Sequence, residues 1–558
     1  MKYKILVILC IGILLWFVIQ PVEQSWSETD TRLIKTICAI SAVALIIFFL
    51  QKQLITISTI DVIVLLWFGY VMIRAGVDTT YPCASFCLRT MQMLALYFLL
   101  RLLLSSTNPS ENIIVIGILL CGFYEVIIGG LQLVNGTSRH NYYALTGTFQ
   151  NPGPYSAILS MGLVMACQAK KPYWVPLIFA ILLPATWSRA ALLSTAICLA
   201  IIYWEQWKQW RWWVAAGILC MAAALYFLKQ GSADGRSIIY LISLLNISHS
   251  PIWGSGIGSF FHQYAEGLAQ FCQQHPTFNA ESTDVLMSAF NEFLYIGVEQ
   301  GVIGLTFATA MIIMLSLQLK KKGKALGIGL LSLLIFSLFS YPFEQLPYQI
   351  LFVVIAAYGA TNKGYSETVL VRNRLFKRFL IPIGAFCCIL LLSGFAHHHI
   401  TIRAKADNDY WTTAGIKHSA LINAHYEILP LLRDNPYFLF DFGKTLSENG
   451  RYTDSNAILR LGTLISNDPM YYVIQGNNYV QMKLYDEAEG AYQKAFSIMP
   501  NRIYPLYRLM LLYEKRGDLT KEKETAQRVI SFKEKVVSPA TKEMKDKAYT
   551  ILKKLNKE

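Results

Sequence analysis

Charged side chains are scarce in this 558-residue chain, where only 15% of the residues are Asp, Glu, Lys or Arg. A soluble domain carries about 25% charged residues. A large soluble α/β enzyme would also need polar faces on its helices, and the stretch 113–134 has almost none. Several apolar runs reach about 20 residues, which is the length that crosses a bilayer. The composition therefore predicts a polytopic membrane protein.

Signals for metal and nucleic-acid binding are also missing from the sequence. No CxxC motif and no Cys/His spacing typical of a metal site occurs, and most of the eleven cysteines lie inside apolar runs. Cys83, Cys87 and Cys272 lie near the predicted outer side, where a disulfide stays an open alternative. The net charge is +14, but the basic residues cluster in short loops between apolar runs and in the C-terminal tail. We therefore expect no nucleic-acid partner, no metal and no cofactor.

The apolar runs predict about 13 membrane spans. The short loops at 170–171, 320–324 and 362–378 are rich in Lys and Arg, which marks them as cytoplasmic. This assignment puts the N-terminus in the cytoplasm and, with an odd number of spans, the C-terminal domain on the outer side of the membrane. The first run has no small-x-small cleavage site and is predicted to be a retained anchor. The predicted spans are 4–20, 33–50, 55–74, 85–104, 113–134, 154–168, 172–187, 190–204, 212–228, 295–318, 325–342, 346–360 and 378–396.

The chain beyond about residue 400 has the composition of a soluble domain and contains an internal repeat. Pro436, Pro469 and Pro500 begin three copies, at a spacing of about 34 residues that is typical of tetratricopeptide repeats. Such repeats stack into a small α-solenoid, which docks a partner or stabilises the chain.

The predicted fold is therefore all-α, with two domains. Residues 1–399 form a transmembrane helical bundle with a long outer loop near 229–290, and residues 400–558 form a periplasmic domain resembling tetratricopeptide repeats.

Polar and cationic residues gather on the predicted outer side. The stretch GTFQNPGPYS at 147–156 interrupts two apolar runs, and irregular backbone at membrane depth is tolerated only where protein or water covers it. The loop 135–153 therefore lines a cavity or forms an ordinary turn between spans. Arg189 lies at the tip of a tight helical pair and Arg236 lies in the long outer loop. An arginine at membrane depth is costly and tends to be functional, although one at an interface can simply reach towards the headgroups.

Four motifs between about 110 and 360 occur in an order that resembles the O-antigen ligase superfamily of membrane glycosyltransferases. They are GTFQNPGPYSA, TWSRAA, GRSIIY followed by SPIWGSGIGSF, and FNEFLYIGVEQGVIGL. The superfamily also includes O-antigen polymerases and bacterial protein O-oligosaccharyltransferases. Its members often have His directly before the helix Asn, where this chain has Phe290. The proton-handling role of that histidine therefore has no direct counterpart here.

The resemblance implies a glycan donor on undecaprenyl diphosphate in the outer leaflet. An acceptor hydroxyl attacks the anomeric carbon, and the lipid diphosphate leaves. No Asp-x-Asp motif lies on a predicted outer loop, so we expect a metal-independent enzyme in which Arg189 and Arg236 stabilise the diphosphate. A guanidinium stays charged and pairs phosphate oxygens in a bidentate manner.

Other candidate residues have both functional and structural interpretations. Glu292 is the candidate catalytic base, and His140, Asn151 and Asn291 are the candidate substrate-binding residues. Asn291 could instead hold its helix against a neighbour. Glu125 lies in the middle of an apolar run, where a carboxylate is functional or hydrogen-bonds to a neighbouring helix. The GSGIGS stretch follows no βαβ strand, which excludes a dinucleotide site.

The leading hypothesis is transfer to the sugar of a lipid A core, as an O-antigen ligase does in lipopolysaccharide biosynthesis. The alternatives are a protein O-oligosaccharyltransferase that acts on Ser or Thr of exported proteins, a polymerase of the glycan, a transporter of lipid-linked glycans, and a scaffold in which the tail provides the function. The expected partners are the donor, the acceptor, membrane lipids and a protein bound by the repeat tail.

Overall fold

The structure is a computed structural model that describes residues 2–19, 28–51, 57–228, 230–275, 278, 281–286, 288–361, 381–413 and 420–555. Within these ranges every regular element is a helix, and the all-α prediction is confirmed. The predicted cytoplasmic loop at 362–378 lies outside the described residues.

Each predicted span overlaps a helix, with bounds that differ in several cases. Among the described residues, five helical segments are long and apolar enough to cross a membrane, namely Thr59–Val77, Ala84–Ser105, Glu111–Asn135, Trp204–Leu228 and Glu292–Lys322. Four shorter apolar helices accompany them, and the count of about 13 spans stays a prediction. The helices are α1 (Lys2–Trp16), α2 (Glu28–Gln51), α3 (Thr59–Val77), α4 (Ala84–Thr107), α5 (Glu111–Asn135), α6 (Pro152–Gln168), α7 (Trp174–Leu182), α8 (Arg189–Ile202), α9 (Trp204–Trp207), α10 (Arg211–Leu228), α11 (Gln230–His249), α12 (Phe260–Gln274), α13 (Glu292–Lys322), α14 (Lys324–Ser337), α15 (Leu346–Ala360) and α16 (Ile381–Thr413).

Helix α6 forms the centre of the bundle and packs against α5, α7, α8 and α14. Its apolar residues are buried on all sides, as expected for a helix without a polar face. The hydroxyl of Ser160 lies 3.0 Å from that of Ser194, 2.7 Å from that of Thr195 and 2.9 Å from that of Ser332. In a membrane, apolar side chains contact lipid as favourably as they contact another helix. Hydrogen bonds between helices, such as these, therefore contribute to their association.

A turn of the predicted outer loop inserts into α13. Gly301 has φ +63° and ψ −160°, so the helix is kinked at this residue. The turn supplies partners for the helical backbone there, because Ser255 N donates to Val298 O at 2.8 Å and Val302 N donates to Pro251 O at 2.8 Å. The kink therefore has a defined cause, which is a second backbone segment in the hydrogen-bond ladder.

Glycine is required where this turn touches α13. A Cβ on Gly254 would lie 2.4 Å from the carbonyl carbon of Glu299, and the φ of Gly254 is +70°. Glu299 in turn accepts a hydrogen bond from Phe260 N at 3.3 Å, at the start of α12. The glycine-rich stretch thus fixes α11 and α12 on α13, a structural role that agrees with the exclusion of a dinucleotide site.

The C-terminal helices pack in sequence, each on the next. The three predicted repeats correspond to the pairs α18–α19, α20–α21 and α22–α23. Successive contacts of this kind are typical of an α-solenoid, and the assignment to tetratricopeptide repeats stays a prediction. The helices are α17 (Ala420–Leu432), α18 (Pro436–Glu448), α19 (Tyr452–Thr463), α20 (Met470–Gln481), α21 (Tyr485–Ile498), α22 (Ile503–Arg516), α23 (Leu519–Ser531) and α24 (Pro539–Leu555).

The solenoid lies directly on the predicted outer loop. Helix α21 packs against α12, Lys494 forms an ion pair with Glu266, and His262 Nδ1 lies 2.9 Å from Thr463 O. The solenoid and the loop therefore lie on the same side of the helical bundle. The predicted domain boundary at 399/400 lies inside α16, which continues to Thr413 and joins the bundle to the tail; the boundary stays a prediction.

Candidate active site

Arg189 and Arg236 come together from two segments of the chain. Arg189 is the first residue of α8, and its guanidinium donates to Ser232 Oγ at 3.1 Å and to Leu225 O at 3.4 Å. Arg236 lies on α11 and is half-buried. Burial and the charge of Arg189 both lower the pKa of Arg236. The guanidinium nevertheless stays charged, because its ordinary pKa is above 12.

The environment of Arg236 favours an anion. Within the described part of the chain, no salt bridge joins Arg236 to a carboxylate. The groups that act electrostatically on it are Arg189 and the phenols of Tyr143, Tyr240 and Tyr341. Two like charges held together in a partly buried position are stabilised by a negative ligand. The arginine pair is therefore a candidate site for a phosphate or another anion, and this role stays a prediction.

Phe290 forms an aromatic floor beneath Arg236. The guanidinium carbon lies 5.1 Å from the centre of the Phe290 ring, which is within cation–π distance. The Tyr341 ring meets Phe290 edge-on, with 5.4 Å between the ring centroids. Phe290 has φ +52°, a left-handed conformation that is costly for a residue other than glycine and that tends to occur at functional sites. The family that this chain resembles often has histidine at this position. Here the position is Phe290, whose ring contacts the guanidinium of Arg236.

Asn291 is engaged in holding its helix. Its Oδ1 accepts from Phe293 N at 3.0 Å and from Leu294 N at 3.1 Å, which caps α13, and its Nδ2 donates to Leu338 O at 3.1 Å. The hydroxyl of Tyr240 donates to the same carbonyl at 2.7 Å. Asn291 thus caps α13 and bonds its helix to the end of α14, as the structural interpretation predicts. Substrate binding by this residue stays a prediction.

Glu292 is the first residue of α13 and lines a cavity. Its Oε1 accepts a hydrogen bond from Phe343 N at 2.8 Å. This bond ties the start of α13 to the segment between α14 and α15. The carboxylate therefore has a structural partner, and its assignment as the catalytic base stays a prediction.

Glu125 and Gln132 form hydrogen bonds with the polar loop between α5 and α6. Glu125 accepts from Thr148 Oγ1 at 2.6 Å and from Thr148 N at 3.0 Å. Gln132 Oε1 accepts from the backbone N of Thr146 at 2.9 Å and of Gly147 at 2.8 Å. Glu125 thus forms hydrogen bonds, and its partner Thr148 lies on the loop. Residues 145–149 of this loop are buried.

Asn151 and His140 lie at the two ends of this loop. Asn151 caps α6, where its Oδ1 accepts from Gly153 N at 2.9 Å. His140 Nδ1 accepts from Tyr142 N at 3.0 Å, and its ring centroid lies 4.8 Å from that of Tyr143. Since Tyr143 acts electrostatically on both arginines, His140 borders the arginine site. Substrate contact by Asn151 and His140 stays a prediction.

A cavity of about 330 Å³ lies between α3, α4, α13, α14 and α15. Arg89, Glu292 and Gln349 line its end at the starts of α4, α13 and α15, and Arg89 Nη1 donates to Gln349 Oε1 at 3.3 Å. Further along these helices the walls are almost entirely apolar. They include Phe68, Met93, Ile296, Met311, Leu334, Phe352, Val353 and Ala356. The cavity thus has one polar end and otherwise largely apolar walls.

No group of three or more His, Cys, Asp or Glu side chains is arranged to hold a metal ion in the ranges that the structure describes. The metal independence of the chain stays a prediction.

These features are those of a membrane protein with a candidate anion site and an apolar cavity. Residues 174–309 match the family model described as O-antigen ligase. The resemblance to the O-antigen ligase superfamily is therefore confirmed for this segment, and the match supports a membrane glycosyl-transferring enzyme of the ligase type. The matched segment includes Arg189, Arg236, Phe290 and the kink of α13.

Two other comparisons add little. No curated protein matches the chain. Among solved structures, the crystal structure of MamA is similar to 28% of this chain and is itself covered to 92%, with 22% identity and a TM-score of 0.20. A similarity at this TM-score supports no conclusion about the fold or the function.

Proposed function

We propose that the protein transfers a glycan from an undecaprenyl-diphosphate donor to an acceptor hydroxyl at the periplasmic face of the bacterial inner membrane. The observation that carries this proposal is the pairing of Arg189 and Arg236 over an aromatic floor, with no carboxylate bound to Arg236 in the described residues. The tail on the same side as the arginine site is consistent with a periplasmic C-terminal domain.

The chemistry requires stabilisation of a leaving diphosphate. The acceptor oxygen forms a bond to the anomeric carbon, the bond from that carbon to the phosphate oxygen breaks, and its electron pair leaves with the diphosphate. Negative charge grows on the phosphate oxygens, and the guanidinium groups of Arg189 and Arg236 stabilise it by donating charge-assisted hydrogen bonds to those oxygens. The hydroxyl proton passes to a base, for which Glu292 and His140 are the candidates.

The cavity supports a donor with a long apolar chain. Its polar end includes Glu292, which follows Phe290 and Asn291 in the chain, and the Phe290 ring contacts Arg236. Its walls offer apolar contacts and few polar groups, which is what an isoprenoid chain needs. We propose that the lipid part of the donor enters this cavity while its diphosphate reaches the arginines.

Filling the cavity is expected to weaken donor binding. Ala356 lines the cavity and is 1% exposed. The Ala356→Leu variant should raise the KM for the lipid-linked donor about tenfold, since occupied volume excludes the chain and a tenfold change corresponds to about 1.4 kcal/mol. The matched control is Ala357→Leu, which adds the same volume at a neighbouring buried position outside the cavity lining. Equal increases in KM in both variants would contradict the proposal, because general overpacking would then explain them.

The Phe290 floor is expected to affect the reaction through Arg236. The Phe290→Leu variant keeps most of the bulk but removes the cation–π contact, which is worth about 0.5–2 kcal/mol. We expect kcat to fall about 3- to 30-fold, in proportion to that free energy. Steady-state kinetics of the purified protein measure this change. An unchanged kcat would show that the ring does not position the guanidinium.

The acceptor is tested by reconstitution. Purified protein in lipid vesicles receives an undecaprenyl-diphosphate glycan together with, in separate arms, lipid A core, a mixture of exported proteins, or further donor alone. Transfer to lipid A core supports the ligase assignment, transfer to protein supports an oligosaccharyltransferase, and growth of the glycan supports a polymerase. Movement of the donor between leaflets without transfer to any acceptor would replace the proposal with a transporter.

A further inference from the structure

The segment at 281–286 connects the solenoid with the arginine site. It has no helix of its own, it touches the inter-helix turns of the tail, and it precedes the strained Phe290 by only a few residues. We infer that Asn467 and Asn501 of the tail are positioning residues for the arginine site, acting through this segment. The inference rests on the proposed function for its kinetic part.

The two asparagines satisfy the backbone of the segment. Asn501 Nδ2 donates to Glu281 O at 3.1 Å and to Thr283 O at 2.7 Å. Asn467 Oδ1 accepts from Leu286 N at 3.0 Å, and its Nδ2 lies 3.4 Å from Asp284 O. Irregular backbone needs such partners, because a buried polar group without one is costly.

Burial shows which contacts hold the segment. Asn467 is 2% exposed and Asn501 is 8% exposed. Asp284 also pairs with Arg502 at 2.8 Å and with Lys535 at 3.2 Å, but these side chains are 40–52% exposed. Exposed ion pairs contribute about 0–1 kcal/mol. The buried asparagine bonds are therefore the main constraint on the segment.

The constraint reaches the site through a short length of chain. Ser288 Oγ accepts from Phe290 N at 3.3 Å, and Phe290 O lies 3.1 Å from the hydroxyl oxygen of Tyr240. A left-handed residue such as Phe290 persists only where its surroundings determine its conformation on both sides. Asn291 fixes the C-terminal side by capping α13, and the segment held by Asn467 and Asn501 fixes the N-terminal side.

Other contacts keep the tail attached when these bonds are lost. Helix α21 still packs on α12, and the Lys494–Glu266 pair and the His262–Thr463 contact do not involve the segment. Release of the segment can therefore be separated from release of the tail, which makes the inference testable with single substitutions in the full chain.

The test uses the Asn501→Asp variant in the purified, full-length protein. Aspartate has the same shape, but it replaces the donating Nδ2 by an oxygen that faces two carbonyl oxygens. We expect kcat to fall about tenfold while the KM for the undecaprenyl-diphosphate glycan stays within about twofold, because a misplaced catalytic group lowers the rate more than the binding. Hydrogen exchange of the backbone amides at 288–292 should become faster.

The matched control is Asn478→Asp, which makes the same change inside the solenoid. Asn478 Nδ2 donates to Ser455 Oγ at 2.8 Å and to Asn456 Oδ1 at 2.8 Å, and neither partner belongs to the loop. This variant should lower the unfolding temperature of the tail but leave kcat and the exchange at 288–292 near the wild-type values.

Two outcomes would count against the inference, and a third would count against the proposed function. Equal losses of kcat in both variants would show that the stability of the tail alone matters. Unchanged exchange at 288–292 in Asn501→Asp would show that the segment does not depend on the asparagine. If the wild-type protein transfers no glycan, the proposed function fails, and the exchange measurement still decides whether Asn501 constrains the segment.

Discussion

Replacing Arg236 by alanine is expected to lower the rate of glycan transfer about 10²–10³-fold, which is the usual cost of removing a preorganised group that stabilises transition-state charge. The guanidinium is partly buried, lies over the Phe290 ring and adjoins Arg189. It is therefore already oriented before the diphosphate begins to leave. Transfer by the purified protein in vesicles, at saturating donor and acceptor, measures the loss.

Two further variants separate charge from geometry. Arg236→Lys keeps the charge but loses the planar fork that pairs two phosphate oxygens, so we expect a partial loss of about tenfold or more. Arg433→Ala removes an exposed arginine of the tail and should leave the rate unchanged. Activity of Arg236→Ala above about a tenth of the wild-type rate would exclude a major role in stabilising the leaving group.

Loss of all transfer in EDTA would show that a metal is needed and would overturn metal independence.

The second large effect is expected on stability rather than on catalysis. In Gly254→Ala, the new Cβ would lie 2.4 Å from the carbonyl carbon of Glu299 and 2.5 Å from Gln300 N, and both are backbone atoms. Neither atom can move without disturbing the kink of α13. We expect a destabilisation of about 3 kcal/mol or more, because the strain of a left-handed alanine adds to the overlap. Thermal unfolding in detergent should show a clear fall in the midpoint temperature.

A glycine in open surroundings provides the control. Gly217 lies in α10, and no heavy atom would lie within 4 Å of a Cβ added there. Gly217→Ala should therefore be neutral or slightly stabilising, since alanine favours a helix over glycine by about 1 kcal/mol. A similar loss of stability in both variants would contradict the close packing inferred for the turn at 251–256.

The candidate site was predictable only in part. Arg189 and Arg236 are recognisable in the sequence because arginine is rare beside apolar runs, and the structure brings them together. Tyr143, Tyr240 and Tyr341 were missed, since tyrosines are common at the ends of membrane helices and no local signal separates these three. The cation–π role of Phe290 was missed for a related reason, because it depends on the position of α11 relative to α13.

Contacts between distant parts of the chain reveal a structural role for two residues whose role the sequence left open, and a functional role for either stays a prediction. Glu125 gains hydrogen bonds to Thr148, and Asn291 gains one to Leu338 O. Each partner lies more than twenty residues away in the sequence. Motif spacing alone gives no information about such contacts.

The sequence by itself determined the class of protein, the positions of the apolar helices and the helical repeat of the tail, because hydropathy and repeat period are properties of contiguous residues. The tertiary structure decided which polar residues meet. It brought Arg236 onto Phe290, Glu125 onto the buried loop, and Asn467 and Asn501 onto the segment at 281–286. These contacts join residues far apart in the chain. They depend on how helices pack and on where irregular backbone finds its hydrogen-bond partners.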